Sequence, residues 1–258
     1  MAAHRMISPL FPFRGVPVFM YHNVCSDSTS GERYTTPLPV FREHLSFLRE
    51  QEFCVLPVSG LQEGPCGRNA ILTFDDGLAS HYELAFPALM EQRMSATFFV
   101  TTALVDAPGY VTWSQLREMS AAGMTIGSHG LEHIYYPVLP PAKAERELHT
   151  SRMTLEDRLG VPVSTFSAPF GSLDRSLTDT AQRAGFRWIC SSRPWLAKAD
   201  ANVISRLAVY CDTDLAQFCA LATGKAFPLL ARGARHALLQ IPKRILLGIG
   251  MKISQESK

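Results

Sequence analysis

Ala70-Ile71-Leu72-Thr73-Phe74-Asp75-Asp76-Gly77 is an apolar, β-forming run that ends abruptly in two adjacent carboxylates and a glycine. The run is continuous rather than alternating, and turn residues bound it, so it reads as a buried strand of a parallel sheet. Neighbouring side chains of a strand diverge, which lets the two acids at its mouth take separate jobs. Taken alone, an Asp-Gly pair at a strand end is an ordinary polar turn. Two later stretches change its weight: Ser128-His129-Gly130-Leu131-Glu132-His133 and Phe166-Ser167-Ala168-Pro169-Phe170-Gly171.

Outward from this strand, the chain alternates strand and helix patterns. Val16–Val24 reads as a first core strand ending on Tyr21-His22, followed by a polar loop from Cys25 to Pro39. Val40, Phe41, His44, Leu45 and Leu48 recur at helical spacing, and Phe53–Leu56 is a short strand. Leu78–Arg93 is expected to be helical with a kink at Pro87. Strands follow at Ala96–Thr101, Met124–Ser128, Val163–Ser167, Phe186–Cys190 and Ile204–Tyr210. Between them, Thr112-Trp113-Ser114-Gln115 has the form of a capping box, and helices stop at Gly123, Gly160 and Gly185. Asp212 or Thr213 is expected to cap the last helix. Such alternation without a G-x-G-x-x-G points to the α/β class and an irregular (β/α)7-type barrel. In a barrel, residues just after the strands converge on one face, so His22, Asp75, Asp76, His129, His133 and Phe170 are expected to share one site.

The composition is that of a globular protein, 47% hydrophobic and 19% charged, and a formal charge of +2 gives no reason to invoke nucleic acid. The six cysteines form no C-x-x-C pair, so reduced thiols are expected. Pro9 and Pro12 interrupt any apolar leader, and no membrane span is legible. The expected location is cytoplasmic.

His129 and His133 lie four apart, close enough on one turn (about 5–6 Å) to grip a single cation. Two imidazoles and one carboxylate would leave a coordination position open, as a catalytic zinc site requires. The three stretches together resemble the polysaccharide deacetylase family, the NodB-homology group or carbohydrate esterase family 4. Thr73-Phe74-Asp75-Asp76-Gly77 is similar to its T-F-D-D-G motif, His129 to His133 to its H-[ST]-x-x-H motif, and Ala168-Pro169-Phe170-Gly171 to the core of R-x-x-P-[FY]-G. The resemblance implies that Asp75 is the general base and that Asp76, His129 and His133 hold a divalent metal, zinc first, with cobalt or nickel as alternatives. It also implies that the backbone N–H of Phe170, behind Pro169, stabilises the oxyanion. The substrate it implies is an N-acetylated glycan.

Two departures stand out. No arginine precedes the third motif, where the family's arginine supports the catalytic aspartate; Arg206 or Arg193 from a neighbouring strand is the candidate replacement. No L-x-H follows Ile204, but Met20-Tyr21-His22 has that form, as in the circularly permuted poly-N-acetylglucosamine deacetylase branch. His22 is therefore the expected general acid. Trp113 and Trp195 are candidate sugar platforms, with core packing as the alternative, and His44, His81 and His149 read as surface or interface residues. The expected organisation is an extension over 1–15, the deacetylase-like domain over 16–222, and a basic amphipathic segment over 223–258. That last segment, with Arg232, Arg235, Lys243 and Arg244 among leucines and isoleucines, suits either the inner face of an anionic membrane or packing on the barrel. The expected activity is removal of N-acetyl groups from a polysaccharide or glycan precursor. The alternatives are a deacylase of a small or lipid-linked sugar and a glycan-binding protein with an impaired site.

Overall fold

A computed structural model describes residues 15–26, 31–62, 68–225 and 228–234. Its strands are β1 (Val18–Tyr21), β2 (Asn23–Cys25), β3 (Thr35–Pro37), β4 (Phe53–Leu56), β5 (Arg68–Phe74) and β6 (Thr97–Val100). They continue with β7 (Thr125–Ser128), β8 (Thr165–Ser167), β9 (Trp188–Cys190), β10 (Val203–Ile204) and β11 (Leu207–Ala208). The helices are α1 (Leu38–Glu50), α2 (Phe86–Glu91), α3 (Trp113–Ala121), α4 (Pro141–Leu159), α5 (Arg175–Arg183) and α6 (Leu215–Ala222). The main sheet runs β10-β9-β8-β7-β6-β5-β1-β11, and its ladders are parallel. β4 shares the edge of β5 that β6 uses: Ile71 pairs with Leu56 and Val18, while Thr73 pairs with Thr97 and Met20.

The two ends of this sheet are one stretch of chain. Val203–Ile204 pairs with β9, and after Ser205 and Arg206 the same segment, as Leu207–Ala208, pairs with β1. The sheet is therefore curled until its first and last edges share a single split stave. This is the expected (β/α) barrel, with the final strand divided where one strand over Ile204–Tyr210 was expected.

Strand periodicity sorts the core. Phe19, Leu72, Phe74 and Phe98 belong to the large cluster under the helices, where Phe74 stacks on Phe98 with ring centroids 4.7 Å apart. Val18, Ile71, Phe99, Cys190 and Ile204 form a second cluster, the filling of the barrel. Full burial of each such side chain contributes about 1.5–3 kcal/mol. Ile71 and Thr73 alternate with Leu72 and Phe74, which places the next odd-numbered residue, Asp75, on the barrel-facing side.

Several elements depart from the sequence reading. The first strand breaks at His22, and β2 leaves the barrel to pair with β3, inside what reads as a loop. The helix expected over Leu78–Arg93 runs over 79–91, with a π-helical turn, His81–Ala85, leading directly into α2 and Pro87 at the junction. Asp214, not Asp212 or Thr213, caps α6 by accepting from the Gln217 N–H. The Thr112 capping box and the left-handed Gly160 at the end of α4 are as expected.

Cys190, Cys211 and Cys219 are free thiols. No helix among the described residues is long and apolar enough to cross a membrane. Residues 228–234 are helical and dock on the barrel: Leu229 is buried and Arg232 donates to the Ala208 carbonyl. The membrane-facing alternative concerns mainly 235–258, which lie outside the described residues, as do 1–14.

Candidate active site

β5 delivers Asp75 with its backbone N–H still donating to Tyr21 O at 3.0 Å, as a continuation of the β1–β5 ladder. Asp76 then turns out of the strand with φ 82°, and Gly77 follows at φ 79°. A Cβ on Gly77 would approach Val100 Cγ1 to 3.0 Å, so glycine lets this turn lie against β6. A left-handed aspartate is backbone strain of the kind functional sites retain.

Asp76 faces two imidazoles. Its Oδ1 lies 3.3 Å from His129 Nε2 and 3.4 Å from His133 Nε2, and the three donor atoms fall within 4.8 Å of one another. His129 continues β7 through its N–H to Val100 O at 2.9 Å, and its ring Nδ1 donates to the Ser167 carbonyl at 2.9 Å. That second bond leaves the Nε2 lone pair directed at Asp76 in the neutral ring. Tetrahedral ligands at bonds of about 2.0–2.1 Å lie about 3.3–3.4 Å apart, so this donor set fits a zinc-like cation. His129 is buried, whereas the side chains of Asp76 and His133 are partly exposed, so the cluster opens to solvent on one side. Burial opposes charging of the His129 ring, yet Asp75 and then Asp76 override it and raise its pKa above the ordinary value. Burial also works against the Asp76 carboxylate, but hydrogen bonds from both histidines hold it far below the usual carboxylate range.

Asp75, 3% exposed, is gripped by Arg206, which is fully buried. The guanidinium is bidentate, Nη1 to Oδ1 at 2.6 Å and Nη2 to Oδ2 at 2.7 Å. Arg206 also donates to Ser167 Oγ, Thr73 Oγ1 and the Ser191 carbonyl, and Ser167 Oγ donates to Asp75 Oδ2. Burial would raise the Asp75 pKa, but Arg206 and then His129 bring it below the usual value. The guanidinium stands at the split between β10 and β11, and it supplies the cation that the third motif lacks. Arg193 meets it only through the backbone, its carbonyl accepting the Arg206 N–H.

A match to the family model described as polysaccharide deacetylase covers residues 63–189, the span that holds both carboxylates, both imidazoles and the third motif. This chain carries a polysaccharide deacetylase domain. YxkH of Bacillus subtilis (strain 168), named for the same family, is 24% identical over 194 residues, 73% of this chain and 68% of that protein. The poly-beta-1,6-N-acetyl-D-glucosamine N-deacetylase of Escherichia coli (strain K12) is 24% identical over 141 residues, 46% of this chain and 21% of the enzyme's own length. Among solved structures, the Streptococcus pyogenes deacetylase PplD in complex with acetate superposes with a TM-score of 0.75 at 19% identity, covering 81% of this chain and 98% of that one. IcaB from Ammonifex degensii gives 0.72 at 24%, covering 81% and 97%. At these identities the structures speak for a shared fold.

The remaining candidate residues of the deacetylase domain fall in two groups. His22 stands at the break between β1 and β2 with its ring 4.6 Å from that of Tyr34, and it shares the electrostatic field of Asp75 and Asp76. Burial is the largest influence on it and lowers its pKa, against the pull of the two carboxylates. Pro169 is buried, and Phe170, 54% exposed as a residue, adopts φ 60° with its ring 4.7 Å from that of His133. Trp113 opens α3, packs partly buried against the core and has its ring 5.5 Å from the Arg158 guanidinium, contacts that suit the packing alternative. Trp195 also packs partly buried against the core. His44 and His81 are buried, contrary to the surface reading, whereas His149 is exposed.

The replacement of the second motif's usual Ser or Thr by Gly130 also has a cause. Gly130 has φ 88°, and a Cβ there would lie 2.6 Å from the Tyr136 hydroxyl. Below it, Ser128 Oγ accepts the Gly130 N–H and continues a chain of hydroxyls through Ser151 to Thr102.

Proposed function

We propose that the domain hydrolyses N-acetyl groups of amino sugars in a glycan, using a divalent cation held by Asp76, His129 and His133. The observation that carries this reading is the meeting of one carboxylate and two imidazoles around one point, beside a separate carboxylate locked by Arg206. A bound cation would polarise the amide carbonyl and acidify a water. Asp75, not spent on the cation, accepts the proton of the attacking water; its fork to Arg206 fixes the carboxylate's plane and keeps it ionised. His22, across the same field, gives a proton to the departing amine. The Phe170 N–H, on a left-handed residue behind a proline, donates to the developing oxyanion. The Escherichia coli relative, named for deacetylating poly-N-acetylglucosamine, supports the substrate class. The buried Arg206, forked onto Asp75, supports an active rather than an impaired site.

The test is acetate release from N-acetylglucosamine oligomers. Release is expected with added zinc, and loss is expected on chelation and in Asp75→Asn. Full activity in a metal-stripped sample, or in Asp75→Asn, would reject the mechanism; release only from monomeric or lipid-linked sugars would reassign the substrate.

A further inference from the structure

His81 is buried at 1% exposure between the sheet and its helical cover, and the mechanism above gives it no task. Its ring packs against the stacked pair Phe74 and Phe98, where phenylalanine would serve apolar packing better than imidazole. Its Nε2 lies 2.7 Å from the His22 carbonyl oxygen. A carbonyl can only accept, so Nε2 carries the hydrogen and donates, while the buried Nδ1 has no hydrogen-bond partner. The bond is made at the one residue between β1 and β2 that belongs to neither ladder, where the main chain leaves the barrel.

The same seven-residue span, 75–81, ties down the whole of this exit. Asp75 N–H donates to Tyr21 O at 3.0 Å, and Ser80 Oγ donates to Asn23 Oδ1 at 2.8 Å and accepts from Val24 N–H at 3.4 Å. His81 also opens the π-helical turn, its own carbonyl accepting from Phe86 N–H. Such turns recur at functional sites because they re-aim one side chain without ending the helix. The span that bears Asp75 and Asp76 thus also grips the backbone that bears His22.

We infer that His81 is the positioning residue for His22: its Nε2–H fixes the His22 main chain, and with it the imidazole, relative to Asp75 and Asp76. This rests on the reading of His22 as the proton donor, and it goes beyond it by assigning the group that aims that donor. Because the contact is made from Nε2, glutamine at 81 can reach the carbonyl and asparagine cannot.

The experiment measures kcat and KM for acetate release from N-acetylglucosamine oligomers, together with zinc affinity by competition with a chromophoric chelator. His81→Phe and His81→Asn are expected to lower kcat about tenfold, a fraction of what a general acid supplies, with KM and zinc affinity unchanged. His81→Gln is expected to stay within about threefold of the parent on the same scale. In a His22→Ala background, His81→Asn is expected to do nothing more. Parental kcat in His81→Asn, equal losses in the Gln and Asn variants, a fall in zinc affinity, or a further loss in the His22→Ala background would each overturn the inference. If His22→Ala alone keeps full kcat, the proton-donor reading itself has failed, an outcome read separately from the His81 series.

Discussion

At the residue scale, the decisive pair is Asp75 with Arg206. A carboxylate and a guanidinium both removed from water stabilise each other only while both are present. Arg206→Met is expected to lower unfolding free energy by about 3–5 kcal/mol, because it leaves Asp75 buried and unpaired. Chemical denaturation of the metal-free protein would read this, and Arg206→Met/Asp75→Asn should recover part of the loss. Arg206→Lys should keep the charge but lose the fork, lowering kcat more than stability. Gly130 gives a second case. Gly130→Ala is expected to cost about 1–3 kcal/mol from overpacking and left-handed strain. Tyr136→Phe, which removes a buried hydroxyl without a partner, should be neutral or stabilising and should lessen the Gly130→Ala penalty. Thermal unfolding of the three variants checks the set.

At the element scale, what was legible follows from what strands and caps write locally. β5, β7 and β8 are short strand-forming runs that lead into chemistry-bearing residues, so both their existence and their exits could be read. Arg206 was no more than one of two candidates, because its partner lies 131 positions away and only barrel closure joins them. His44 shares the helical stripe of Phe41, Leu45 and Leu48, a signal for burial that the bare identity of a histidine obscures. The π-helical turn leaves no periodic trace, since one extra residue shifts the register of a pattern only a turn or two long. β7 itself carries a test. A Cβ on Gly127 would lie 2.4 Å from Thr165 Oγ1 and 2.7 Å from Phe99, so the strand can pass between β6 and β8 only bare. Gly127→Ala is expected to lower the urea midpoint by an amount equivalent to about 1–3 kcal/mol, with loss of zinc affinity because His129 is displaced.

At the scale of the whole molecule, acid sensitivity follows from histidines held neutral in the core. Burial lowers the pKa of both His44 and His81 from 6.5 to about 4. The unfolded chain takes up these protons near pH 6.5 and the folded chain only near 4, so their contribution is fully present above 6.5 and is lost as pH falls to about 4. At about 1.4 kcal/mol per unit, each accounts for roughly 3 kcal/mol over that range. Unfolding free energy of the metal-free protein should therefore decline from pH 7 to pH 4.5, and His44→Gln should flatten the decline. An unchanged slope would show that these rings are not the groups responsible.

The split stave that completes the ring also carries the guanidinium that grips Asp75. A ribosome has released most of the domain before residue 206 emerges, and until then Asp75 has no counter-charge and the sheet has two raw edges. The Asp75–Arg206 pair and closure of the hoop thus arrive in a single late step, and a nascent or truncated chain ending ahead of that point holds neither.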